Sequence, residues 1–190
     1  MSVFNSIPPK INQKNLIQWL KENYTFLSKK SILLKLLNSE RDKNFIIIVN
    51  SKHKYVLKIS NPEESKDLLD LQDHVLKNLS KRTSLKKYIP KRIHSSIKTY
   101  TDLKNRKCYV RILSYIHGKM YASVKPSSLL EISLGTLLGN LSKELQNINK
   151  PSAFRKFEWD PSDIKWIAKE VNIFKGKQKK IILRNLEEHN

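Results

Sequence analysis

The sequence predicts an α+β protein: a mainly antiparallel sheet of about five strands with one helix inserted, followed by helices alone. Three observations carry that expectation. Short apolar and β-branched runs, separated by polar turn-like stretches, recur between Ser31 and Tyr115. Between the third and fourth of them lies a segment with helical spacing and a strong helix-start signal. After Gly118 the apolar residues recur only at helical spacing. At 190 residues and 39% hydrophobic content, the chain has material for a substantial core.

Pro8-Pro9 precedes a helical pattern in which Ile11, Leu16, Trp19, Leu20 and Tyr24 share one face. Three strands are expected next, at Ser31 to Leu37, Phe45 to Val49 and Tyr55 to Ile59. Asn50-Ser51-Lys52-His53 reads as a hairpin connection, with Asn50 suited to a positive φ. Ser60-Asn61-Pro62-Glu63-Glu64 reads as a helix start: Asn61 as the cap, Pro62 in the first helical position, and Glu64 closing a capping box. The helix that follows carries Leu68, Leu71, Val75, Leu76 and Leu79 on one side and ends near Leu79. Tyr88-Ile89-Pro90 breaks the pattern. Strands are expected around Ile93 to Tyr100 and Cys108 to Tyr115, separated by the polar loop Thr101 to Lys107.

From Pro126 to Ile148 the leucines and isoleucines make a long helix too apolar to leave one face in water. Gly135 and Gly139, four residues apart, predict the close approach of a neighbouring helix. A loop with Phe154, Phe157 and Trp159 and two short helical segments complete the chain. The organisation read from this is a helical segment over 1–30, a sheet-bearing lobe over 31–117 and helices over 118–190.

A net charge of +20 and a pI near 10.0 raise a nucleic-acid hypothesis. The type of charge argues against it. Only 7 of the 37 basic residues are arginine, and Lys, Asn and Ile together make up 66 of 190 residues, the signature of an AT-rich genome. Base-reading surfaces use the planar arginine fork. The expectation is no specific nucleic-acid partner. No apolar run is longer than Phe45 to Val49, so no membrane partner is expected, and without a visible leader the expected location is cytoplasmic. The single cysteine, Cys108, excludes an internal disulfide and a cysteine-based zinc site.

Three segments fall at informative places in this topology. Asn38-Ser39-Glu40-Arg41-Asp42-Lys43-Asn44-Phe45 joins the first two strands. Tyr55-Val56-Leu57-Lys58-Ile59-Ser60-Asn61 is the third strand, with one lysine on the face shared by Val56. Tyr109-Val110-Arg111-Ile112-Leu113-Ser114-Tyr115-Ile116-His117-Gly118 is the last strand running into a connector. In their order and spacing these segments resemble the N-terminal lobe of the aminoglycoside phosphotransferase-like kinases, within the protein-kinase-like fold, and most closely the hydroxylysine kinase branch. The resemblance runs from about Ser31 to Phe157-Glu158-Trp159-Asp160.

The resemblance implies roles. Lys58 would meet the α- and β-phosphates of ATP or GTP. Taken alone, a strand lysine among 30 is an exposed surface group; the surrounding motif is what singles it out. The family's lysine is held by a glutamate on the following helix, and here the matching position is Gln72, whose neutral amide would position the lysine less firmly than an ion pair. Ser39 and Asn44 lie in the loop that would cover the phosphates. That loop has no glycine, so contacts there come from side chains or a few N–H groups, and both residues could equally serve only to organise the turn. Ser114 and Ile116 would flank the base through backbone carbonyl and N–H, with Leu113 lining its pocket. Gly118 would end the connector.

The family's catalytic His-Gly-Asp-x-x-x-x-Asn loop and metal-binding aspartate motif have no match. Only His117 precedes a glycine, and Lys119 follows it. Asp160 and Asp163 are the only aspartates after Gly118, and neither sits in such a loop. Phosphoryl transfer needs a carboxylate to orient the acceptor hydroxyl and others to hold Mg²⁺. No catalytic or metal-ligating residue is therefore assigned, and Mg²⁺ is expected only where a second lobe is supplied. The reading is the nucleotide-binding portion of a small-molecule kinase, inactive alone: either a split-gene half, partnered by a separately encoded C-lobe or another protein, or a degraded remnant. The alternative is a non-catalytic basic module that binds a protein partner or, non-specifically, nucleic acid.

Overall fold

The computed structural model describes residues 6–154 and 165–188. The chain divides into two units, Met1–Ala153 and Phe154–Asn190.

In the first unit, helix α1 (Gln13–Asn23) is capped by Asn12, whose side chain accepts from the N–H groups of Lys14 and Asn15. A short 3₁₀ turn leads into β1 (Ile32–Leu37), β2 (Lys43–Val49) and β3 (His53–Ile59). Helix α2 (Lys66–Leu79) follows, then β4 (Lys98–Thr101) and β5 (Lys107–Ser114). All neighbouring strands are antiparallel, in the order β1-β2-β3-β5-β4. The expected architecture, five antiparallel strands with one inserted helix and then helices, is the one observed.

The β2–β3 hairpin turns as its sequence requires, with Asn50 and Ser51 at φ of 48° and 57°. The core lies between one sheet face and α1. Leu16, Leu20, Tyr24 and Leu27 pack there with Leu34, Phe45, Ile47, Val49, Leu57, Ile59, Tyr100, Cys108, Val110 and Ile112. Strand alternation places these residues on one face and Asn44, Val56, Lys58, Arg111 and their neighbours on the other.

A buried aspartate fastens the N-terminal segment to the β4–β5 connection. Asp102 accepts from the N–H groups of Lys10, Lys104 and Arg106 and from the Arg106 guanidinium at 2.6 Å. Arg106 in turn donates to the carbonyls of Ile7 and Pro8. Burial alone would raise the Asp102 carboxyl, but Arg106 and these N–H donors hold it down at about 2. Beside it, burial and the Asp102 charge push the Cys108 thiol up to about 12, which makes it an unreactive core residue.

Three local expectations are corrected. Helix α2 begins at Lys66, capped by Ser65, not at Asn61. Asn61 instead closes a turn of its own, its Oδ1 accepting from the Glu63 N–H and its carbonyl from the Glu64 N–H. The fourth strand is short, because Arg92 to Ile97 do not join the β4 ladder; Arg92 makes an isolated bridge to Leu113. Helix α3 (Ser128–Leu145) forms where expected, but a Cβ built on Gly135 or Gly139 meets nothing within 4 Å, so among the described residues no helix approaches closely there. No residue of α3 is buried.

The second unit contains α4 (Lys165–Glu170), a 3₁₀ turn and α5 (Gly176–Glu188), with Val171 and Leu186 buried. Gly176, at φ 56°, supplies the left-handed turn that starts α5. Phe157, Trp159, Asp160 and Asp163 lie outside the described residues. Among the described residues no helix is long and apolar enough to cross a membrane.

Candidate functional site

The open face of the sheet carries two adjacent rows of side chains. Strand register puts Asn44, Lys58 and Arg111 side by side across β2, β3 and β5. The next row on that face is Ile46, Val56 and Leu113. Alternation forces this: with Phe45, Leu57 and Ile112 turned into the core, their neighbours must point the other way. A polar row thus lies beside an apolar one, an arrangement that can take a ligand with a charged end and a flat apolar end.

The charges in the polar row are individually compensated. The Lys58 ammonium lies 4.0 Å from Asp42 Oδ2, with both side chains about 30% exposed. Arg111 is buried. Its guanidinium donates to Gln72 Oε1 at 2.8 Å, Asp73 Oδ1 at 3.1 Å and the Leu69 carbonyl at 3.4 Å, all on α2. Burial lowers the Arg111 pKa, and Asp42, Glu64 and Asp70 act in the opposite direction. Asp73 also pairs with Arg92, which donates to the carbonyls of His94 and Ser96. Helix α2 is therefore tied to β5 through arginines.

The residues expected at the site fall into three groups. Asn44 and Lys58 are direct register partners, and Leu113 lies one row away. Asn44 Oδ1 is buried without a hydrogen-bond partner. That buried oxygen is out of a ligand's reach, so the group of this amide that can meet a phosphate oxygen is the Nδ2 donor. Ser114 and Ile116 lie at the end of β5 and just beyond it. The Ser114 N–H donates to the Lys91 carbonyl, and its hydroxyl accepts from the Lys91 N–H. The N–H of Ile116 makes no hydrogen bond among the described residues.

Ser39 and Gln72 stand apart from that group. The Ser39 hydroxyl donates to the Asp42 carbonyl at 2.8 Å, which organises the β1–β2 turn. Gln72, expected to hold Lys58, is an exposed residue whose amide oxygen is engaged by Arg111 instead. The α2 side that meets the sheet is turned toward β5 rather than β3.

Sequence reasoning gave no role to Asp42 or Arg111. A signal for Arg111 was present: an arginine inside the most apolar strand must be paired when buried, so a carboxylate had to face it. Asp42 stood inside the quoted loop motif, but nothing in sequence separates its carboxylate from those of Glu40, Glu63 or Glu64. Among the described residues, no three His, Cys, Asp or Glu side chains converge as a metal-binding group.

No family model and no curated protein matches the chain. Among solved structures it is similar to a microcompartment-associated aminopropanol kinase, with a TM-score of 0.47 and 14% identity over 77% of this chain. The match covers 45% of that protein, so the chain spans less than half of its length.

Proposed function

We propose that this chain is the nucleotide-binding part of a small-molecule kinase resembling hydroxylysine kinase. Its reaction would be transfer of the γ-phosphoryl of ATP or GTP to the hydroxyl of an amino acid or amino alcohol. The observation that carries this reading is the pair of rows on the open sheet face, the polar one beside the apolar one, next to the β5 connector. Lys58 supplies the cation for the phosphates and the Asn44 Nδ2 a donor beside it. Ile46, Val56 and Leu113 supply the apolar floor for the base, and Ile116 an unengaged N–H at its edge. Ser39 supports this site by shaping the turn that carries Asp42.

The chain binds nucleotide without turning it over. The acceptor-orienting carboxylate and the Mg²⁺ ligands that phosphoryl transfer requires are not among the motifs of these 190 residues, and in this reading a second lobe would supply them. Helix α3 supports such a partner. Leu129, Ile132, Leu134, Leu138 and Leu145 all stand in solvent, a surface that another helical layer would cover. Titration with triphosphate and with nucleoside tests the reading, since Lys58→Ala should weaken only the former.

A further inference from the structure

We propose that Asp42, on the connection between β1 and β2, is the positioning residue for Lys58, and that helix α2 has no part in holding that lysine. The inference rests on the nucleotide-site reading above and adds to it which element controls the lysine.

The carboxylate oxygens of Asp42 have separate partners. Oδ1 accepts from the Asn61 N–H at 3.0 Å, and Oδ2 faces the Lys58 ammonium at 4.0 Å. The strut behind it is firm. Asn61 is buried, its side-chain amide donates to the Arg41 carbonyl, and the Ser39 hydroxyl donates to the Asp42 carbonyl. A carboxylate fixed in this way sets the end of a half-exposed lysine without crossing the sheet.

On α2 the acceptors beside Arg111 are already used, and Asp70 Oδ2 is taken by Lys66 at 2.8 Å. Gln72 Oε1 and Asp73 Oδ1 accept from Arg111, and the other oxygen of Asp73 pairs with Arg92. Arg111 is the register partner of Lys58 on the neighbouring strand, so it stands beside the lysine and takes up these α2 acceptors itself. Two cations directly opposite each other repel, and each is stable here because acids face it: Asp42 stands against Lys58, while Arg111 is paired with Asp73 and is also in the field of Asp42, Glu64 and Asp70. Control of the lysine therefore lies with the phosphate-covering loop, so ordering of that loop and presentation of Lys58 to a triphosphate become one event.

Asp42→Asn is the discriminating variant, because an amide oxygen still accepts from the Asn61 N–H while the charge is lost. Its first readout needs no ligand: ¹³C relaxation of the Lys58 Cε, assigned by comparison with Lys58→Arg. Asp42→Asn should make this carbon as mobile as that of the exposed Lys52, and Gln72→Ala should leave it as in wild type. The second readout is ATP affinity, which Asp42→Asn should weaken about three- to tenfold, with adenosine affinity unchanged and Asp42→Glu recovering most of the loss. Mobilisation of Lys58 by Gln72→Ala and not by Asp42→Asn would overturn the inference, as would tighter ATP binding by Asp42→Asn. If wild type binds no nucleotide but the relaxation results come out as expected, the positioning role stands and the nucleotide-site reading fails.

Discussion

The two faces of the β2–β3–β5 sheet are made from alternating residues of the same three strands, yet they differ in almost every physical respect. On one face Phe45, Ile47, Leu57, Ile59, Val110 and Ile112 are at most 2% exposed beneath α1. On the other, Asn44, Ile46, Val56 and Lys58 are only partly covered, and the one fully buried member of the polar row, Arg111, is satisfied by α2. The first face is a closed apolar core, and the second leaves polar side chains within reach of solvent. Helix α3 adds a further contrast: it is richer in apolar residues than α1, yet it buries none of them, whereas α1 buries Leu16 and Leu20. Apolar content makes a helix able to be buried; only a partner surface buries it.

The largest effect should come from adjacent residues on opposite faces. Leu57→Ala removes a fully buried side chain from the core and should cost about 2–5 kcal/mol, while Val56→Ala should cost less than about 1 kcal/mol. Chemical denaturation of the two variants checks this. Equal losses would mean that the faces are not energetically distinct.

An intermediate effect belongs to the Asp102 fastening. Its carboxyl is held at about 2, below the ordinary unfolded value near 3.9. The unfolded chain therefore takes up the proton first as the pH falls. The stabilisation is fully present above about pH 4 and is lost as the pH drops through 2. Its size is on the order of 2–3 kcal/mol, and Asp102→Asn should flatten the stability curve over that acid window.

The smallest effect on stability, though not on behaviour, is expected at α3. Replacing Leu129 and Ile132 by lysine should change folding stability by less than about 0.5 kcal/mol, because both are largely solvent-exposed. It should also reduce self-association and hydrophobic-dye binding, measured by light scattering and fluorescence. A large stability loss would show that α3 packs against something within the chain.

Much of this contrast was legible in the sequence. Alternation in Phe45 to Val49 and Tyr55 to Ile59 and the helical spacing around Leu16 and Leu20 defined the core face, because burial imposes a period that survives any choice of side chain. The lysine of the third strand was legible for the same reason, but Asn44 was not: expected in the loop ahead of Phe45, it is a residue of β2 and the register partner of Lys58. The partners of the charged groups were not. Which acid meets Lys58 depends on where a short loop puts Asp42, and which acceptor meets Gln72 depends on how α2 is turned against the sheet; neither leaves a periodic trace. The helix start was misplaced by four residues because Asn61 has the chemistry of a cap and of a turn alike, and only the backbone that follows decides between them.

The central claim, that the open face around Lys58 takes a nucleoside triphosphate, is tested most directly by titrating ATP into ¹⁵N-labelled protein and mapping the amide shifts. The account predicts saturable changes at Asn44, Lys58 and Leu113 to Ile116, with the residues under α1 silent, and affinity on the order of 0.1–1 mM. Lys58→Ala should weaken ATP and leave adenosine unaffected. Equal ATP binding by wild type and Lys58→Ala, or shifts scattered over exposed lysines and abolished by moderate salt, would contradict it.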